Sequence, residues 1–130
     1  MWSFWIHVVP VFIMQLDDFR EVLDRYKVIF FDAFGVLKTH NRLIPGIERT
    51  FAYLRQTGKD FYVLTNDASR SPQQLADSYI RLGLYDIRPE CIMSSGMLAR
   101  EYLDLKVKDG TVAYLGTPNS AHYLQTLGLK

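Results

Sequence analysis

Asp32 closes a run of strand-favouring apolar residues, Val28-Ile29-Phe30-Phe31, and Gly35 comes shortly after it. A short run of β-branched and aromatic residues reads as a strand buried on both faces. A carboxylate at the carboxyl end of such a strand is a candidate nucleophile or metal ligand, because open α/β sheets bind ligands at that rim. Gly35 lets the backbone turn sharply just past it. A second apolar run, Phe61-Tyr62-Val63-Leu64, ends in Thr65-Asn66-Asp67. If the two strands are parallel neighbours, Asp32 and Thr65-Asn66 share one rim. A carboxylate, a hydroxyl and backbone N–H groups together suit a phosphoryl group. The carboxylate attacks phosphorus and the donors hold the non-bridging oxygens. A divalent metal would offset the charge between an anionic nucleophile and an anionic substrate. Taken singly, Asp32 could simply end a strand, and Thr65 and Asn66 could be turn formers; the matched set points to chemistry.

The elements that would hold these residues alternate. A helix is predicted over 17–26, with Asp18 and Glu21 as a capping box and Phe19, Val22, Leu23 and Tyr26 on one face. Behind the first strand lies a polar loop, Lys38 to Arg42, closed by Pro45-Gly46. A second helix runs to about Gln56 with Ile47, Phe51 and Leu54 inward, and Gly58 stops it in a left-handed cap. After the second strand, Ser71-Pro72-Gln73-Gln74 starts a third helix by a capping box with proline at its first position. Leu75, Tyr79 and Leu82 face inward, and Gly83 closes it. The positive end of this helix lies near the second strand's tip. Further on, the pattern predicts a short strand near Cys91-Ile92-Met93, a turn at 94–96, and a helix over 97–105. A charged turn at 106–110, a strand over 111–115 and a helix over 119–127 follow. Strands alternating with crossover-length helices mean an α/β fold, a mostly parallel sheet with helices packed on its faces.

Composition narrows the function classes. The chain has 130 residues, 48% hydrophobic, with a formal net charge of +1. That is enough for one compact core but small for two domains. Its Lys and Arg are scattered, which argues against a nucleic-acid surface. Cys91 is the only cysteine, so no intrachain disulfide forms and a reducing, cytoplasmic compartment fits. His7, His40 and His122 show no metal-ligand spacing and read as surface or packing residues. Residues 1–13 form an apolar extension with no Lys or Arg and with Pro10 inside it. The run is too short to span a membrane and lacks the marks of a secretory signal. It reads as a translated upstream extension with Met14 as the natural start; a hydrophobic anchor or oligomerisation segment is the functional alternative.

The residues from Val28 to Leu37 resemble the first motif of the haloacid-dehalogenase-like hydrolases, and Phe61 to Asn66 resemble the second. Pro45-Gly46, Thr57-Gly58-Lys59 and Leu64 through Ser71 are similar to class IIA of that superfamily, which includes nucleotide, 4-nitrophenyl-phosphate, phosphoglycolate and pyridoxal-phosphate phosphatases. The short spacing from Asp32 to Thr65 leaves no room for a cap between the motifs, and class IIA inserts its cap after the second. The resemblance implies a Rossmann-like core and Mg2+-dependent phosphomonoester hydrolysis through an aspartyl phosphate, acting on a small phosphorylated metabolite. Asp32 would be nucleophile and Mg2+ ligand, the backbone carbonyl of Phe34 a second ligand, and Thr65 with Asn66 the phosphoryl site. Residues 14–105 would be the N-terminal part of the core and 106–130 the start of a C2-type cap.

Two departures bear on the reaction. The family's phosphatases usually place a second Asp two residues after the nucleophile, as general acid and base. Phe34 stands there and moves no proton. The family also needs a downstream lysine and a later acidic motif. Lys106, Lys108 and Lys130 are not in the expected setting, so the chain reads as the N-terminal portion of a longer enzyme, inactive alone. An apolar face left by the rest would drive dimerisation or aggregation. The rival readings are a dehalogenase-type hydrolase working through Asp32, favoured by Phe34, and a degenerate member that binds a ligand or partner. A phospho-accepting receiver domain fits less well, since it would show an acidic pair on an earlier strand.

Overall fold

The computed structural model describes residues 19–107 and 110–125. The apolar extension at 1–13, the start at Met14 and the capping residue Asp18 lie outside these residues. Helix α1 spans Phe19–Arg25, strand β1 Val28–Asp32, helix α2 Ile47–Thr57, strand β2 Asp60–Thr65 and helix α3 Pro72–Ile80. A 3-10 turn at Pro89–Cys91 leads into strand β3, Ile92–Ser94; helix α4 is Ser95–Lys106 and α5 is His122–Gln125.

The three strands form one parallel sheet in the order β1-β2-β3. Helix α2 connects β1 to β2 and α3 connects β2 to β3, so each parallel step has its crossover helix. The register sets Asp32 beside Leu64 and Thr65 beside Ser94, which brings the three strand tips to one rim.

One face of the sheet carries the core. Ile29, Phe31, Val63 and Ile92 point into it and meet Leu23 of α1, Phe51 and Leu54 of α2, and Leu75, Ala76 and Tyr79 of α3. Phe51 is fully buried between Phe31, 5.5 Å away by ring centroid, and Phe61, at 4.9 Å edge-on. Truncating such a ring costs about 3–5 kcal/mol. Helix α2 ends as its sequence implies. Gly58 adopts φ +63°, and the N–H groups of Gly58 and Lys59 close back on the carbonyls of Arg55 and Leu54.

The opposite face differs from expectation. Val28, Phe30, Leu64 and Met93 are exposed there, and Phe30 stacks on Tyr62 at 5.5 Å. β1 therefore alternates between buried and exposed residues instead of being buried on both faces, because the described helices α1 to α3 cover only one side of it.

The end of the chain departs further. Residues 111–115 are irregular and not a strand; of the helix expected over 119–127, His122–Gln125 are helical, 119–121 are turn, and 126–127 lie outside the described residues. A strand needs a neighbour to take its backbone groups, and none of the described strands pairs with Thr111 to Leu115. Helix α4 starts earlier than expected. Ser94 caps it by accepting the Met97 N–H at 3.4 Å, so Ser95 and Gly96 are helical and not a turn.

Candidate active site

The rim above β1 and β2 opens into a cavity of about 520 Å3, lined by Asp32, Phe34, Thr65 and Asn66 together with residues of α3. The sequence-predicted site residues are thus brought to one place. Asp32 is exposed at the tip of β1, and its Oδ1 accepts the Ala33 N–H at 2.9 Å. That bond holds one carboxylate oxygen over the turn, and among the described residues Oδ2 has no hydrogen-bond partner. The turn tightens at Gly35, whose φ of +85° is a left-handed value that glycine adopts at no steric cost. The N–H of Gly35 donates to the Lys38 carbonyl at 2.8 Å, and those of Leu37 and Lys38 to the Ala33 carbonyl.

Phe34 projects from this turn and is more than half exposed, with its ring against His40 at 4.7 Å. Its carbonyl accepts no hydrogen bond among the described residues. A free carboxylate oxygen and a free carbonyl oxygen are hard donors that fit Mg2+, which keeps several waters and takes its remaining ligands from carboxylate and phosphate. Among the described residues no cluster of three His, Cys, Asp or Glu side chains could hold a metal by itself. Any ion here would therefore depend on the substrate or on further groups.

On β2, the Thr65 hydroxyl accepts the Asp67 N–H at 3.2 Å, and its proton stays available to a ligand. The Asn66 carbonyl accepts from Ser95 Oγ at 2.9 Å, which ties the loop to the start of α4. Asp67 faces inward on the loop: Oδ1 takes the Ser69 N–H and hydroxyl at 2.9 and 2.6 Å, and Oδ2 takes two guanidinium N–H groups of Arg70 at 3.1 and 2.5 Å. Burial alone would raise its pKa. The bonds from Ser69 and Arg70 outweigh that and hold it below the usual carboxylate value. Asp67 is therefore a loop brace and not a second free carboxylate.

The start of α3 is less available than expected. Ser71 and Gln74 form a complete capping box, with Ser71 N–H on Gln74 Oε1 at 3.0 Å and Gln74 N–H on Ser71 Oγ at 3.3 Å. Pro72 has no N–H. The donors that would meet an anion are thus mostly spent on the cap.

Several residues of the cavity were not singled out from sequence. Lys38, His40, Arg70 and Arg81 line it, as do Ser78 and Tyr79 of α3. His40, read as a surface or packing residue, is exposed and stands at this mouth. Tyr79 was legible only as a member of an apolar stripe; what set it apart was a hydroxyl on the inward face of a helix.

The family follows from comparison. The model of the haloacid dehalogenase-like hydrolases matches residues 29–130. A crystal structure from Cytophaga hutchinsonii, described as a possible sugar phosphatase of the same superfamily, is 62% identical with a TM-score of 0.81, covering 90% of this chain and 41% of that one. Phosphoglycolate phosphatase 2 of Arabidopsis thaliana is 29% identical over 118 residues, 89% of this chain and 39% of that protein. A glycerol phosphate phosphatase of Mycobacterium tuberculosis, solved with magnesium, shares the fold at 22% identity and a TM-score of 0.71, covering 82% of this chain and 32% of its own. The chain spans about two fifths of the length of the first two. The matched residues include both strand tips and the loops that carry Asp32, Thr65 and Asn66, and the chain belongs to the haloacid dehalogenase-like hydrolase family.

Proposed function

We propose that this chain supplies the nucleophile and part of the phosphate site of a class IIA phosphatase, acting on a small phosphorylated metabolite. The observation that carries the reading is Asp32, pinned by Ala33 N–H at a parallel strand tip and sharing one cavity with Thr65 and Asn66. Asp32 attacks phosphorus, the ester oxygen leaves, and water then releases phosphate from the aspartyl phosphate. Thr65 and Asn66 hold the non-bridging oxygens. Mg2+, held by Asp32 and the Phe34 carbonyl, would neutralise charge on the phosphoryl group. The glycerol phosphate phosphatase solved with magnesium supports a divalent metal, and the Arabidopsis phosphatase supports a small phosphate ester. Residues 14–105 are read as core, 106–130 as the start of a cap, and 1–13 as an extension.

The test is a chimera joining residues 14–130 to the remaining C-terminal part of the Cytophaga hutchinsonii protein. With Mg2+ it should hydrolyse 4-nitrophenyl phosphate and form an acid-stable phosphoenzyme, both lost in Asp32→Asn. Turnover that survives Asp32→Asn would refute the assignment. The 130-residue chain alone is expected to give none. A carbon–halogen hydrolase reading rests on Phe34 alone, and halide release from 2-haloacids by the same chimera would favour it.

A further inference from the structure

Lys38 has no role in the account above, yet its ammonium is built into the cavity. Two backbone bonds tie the residue to the end of β1: Lys38 N–H to Ala33 carbonyl at 3.1 Å and Gly35 N–H to Lys38 carbonyl at 2.8 Å. The side chain runs inward to α3. Its Nζ donates to Ser78 Oγ at 2.6 Å and lies 4.3 Å from the centre of the Tyr79 ring. Ser78 spends its own proton on the Leu75 carbonyl at 2.6 Å, so its oxygen can only accept from Lys38. The amine is therefore aimed by a fixed acceptor and an aromatic floor, with further N–H groups to give.

No carboxylate forms an ion pair with Lys38 among the described residues. Asp67, the acidic neighbour that attracts it, is committed to Ser69 and Arg70. Arg70 and Arg81 line the same cavity and repel it. Burial, followed by the Arg70 charge and, more weakly, that of Arg81, lowers the Lys38 pKa against the pull of Asp67. Three cations, Lys38, Arg70 and Arg81, face two carboxylates, Asp32 and Asp67. Behind this wall the Tyr79 hydroxyl is buried and has no hydrogen-bond partner among the described residues. A cavity with surplus positive charge and an ammonium that no described carboxylate pairs is complementary to an anion.

We propose that Lys38, aimed by Ser78 and seated on Tyr79, is a binding residue for the phosphoryl oxygens of the substrate beside Asp32. The proposal rests on the phosphoryl-transfer reading of Asp32. The cation comes from the loop behind the first motif, whereas the family resemblance looks for a lysine downstream of the second. Lys38 lines the same cavity as Asp32 and would draw charge from the phosphoryl oxygens as the attack proceeds.

The test is titration of the 130-residue chain with inorganic phosphate at neutral pH, followed by calorimetry and by amide shifts around Ala33 to Lys38. Saturable binding is expected. Lys38→Met should weaken it by about tenfold or more, the weight of one charge-assisted hydrogen bond, with an unchanged thermal midpoint. Lys38→Arg should stay within about threefold of the parent, since charge and reach are kept. If Lys38→Met does not fold, Lys38→Gln and Ser78→Ala read the same loss. Asp32→Asn should bind phosphate at least as well as the parent, because a repelling charge is gone. Absent wild-type binding, or equal binding by parent and Lys38→Met, overturns the proposal. A Lys38-dependent phosphate site in a chain whose chimera forms no phosphoenzyme would retain this anion site and discard the phosphatase reading.

Discussion

The Tyr123 hydroxyl donates to the backbone carbonyl of Arg70 across 2.7 Å. The same phenol oxygen lies 2.8 Å from Ser94 Oγ, whose proton it accepts while giving its own to Arg70. Tyr123 belongs to helix α5, Ser94 to the tip of β3, and Arg70 to the loop that follows Asn66. One buried side chain thus locks the loop after β2 to the end of the sheet. Gly96 makes room for it, since a Cβ there would stand 2.2 Å from the ring.

Tyr123→Phe should therefore cost about 1–2 kcal/mol in urea unfolding, by leaving a carbonyl and a hydroxyl short of partners in a buried position. Gly96→Ala should cost about 1–3 kcal/mol through overpacking on the ring. The Gly96→Ala, Tyr123→Ala double variant should cost less than the sum of its single variants, because removing the ring removes the clash. Strict additivity would show that the two residues do not share this contact.

A different outcome is expected at Tyr79. Its hydroxyl is buried without a partner among the described residues, and burial, then the charge of Asp32, pushes its pKa up to about 12 against an opposing pull from Arg70. A raised folded-state value means that its share of stability is intact below the ordinary value of 10.0 and is lost as pH climbs toward 12. Tyr79→Phe should be neutral or stabilising by up to about 1 kcal/mol near pH 7. It should also remove part of the fall in urea midpoint above pH 10. A clear loss of stability at neutral pH would mean that the hydroxyl has a partner.

Asp67 sets the acid side. Its pKa is depressed, so its stabilising share is present above the ordinary value of 3.8 and is lost as pH falls through the lower folded value. Asp67→Asn should flatten the parent's stability loss below about pH 4. Near neutrality it should cost about 1 kcal/mol or less, because the Arg70 side chain is 41% exposed and well screened. Denaturation midpoints from pH 2 to 7 for the two proteins make the comparison, and parallel curves would show that Asp67 does not titrate as a braced carboxylate.

Much of this was legible in the sequence because local rules and the fold agree. Ser71-Pro72-Gln74 forms the capping box its spelling implies, Gly58 closes α2, and both strands end at their polar residues. Asp32, Thr65 and Asn66 reach one cavity because parallel register follows from a single crossover helix. What the sequence hid depends on distance along the chain. Lys38 looked like loop and Tyr79 like core until Ser78, forty residues on, brought them together. Residues 111–115 have strand composition but lack a described partner strand, and β1 has a buried composition with one face open. Both errors arise from neighbours that composition cannot supply.

Phe34 makes the sharpest functional prediction. A general acid–base group contributes about 10²–10⁴-fold, or roughly 3–5 kcal/mol of barrier. Phe34 has no proton to give, so a leaving alkoxide must take one from water or from the substrate. Aryl and acyl phosphates need that proton least. The chimera proposed above should therefore cleave 4-nitrophenyl and acetyl phosphate far faster than glycerol phosphate. Phe34→Asp should narrow that gap by raising alkyl-ester turnover. Phe34 is 56% exposed and its ring packs on His40, so the new carboxylate would remain solvated and the core undisturbed. Both substrate classes must be measured on the parent and on Phe34→Asp. Equal parental rates on aryl and alkyl esters would show that another group at this rim delivers the proton, and the role given to residue 34 would fall.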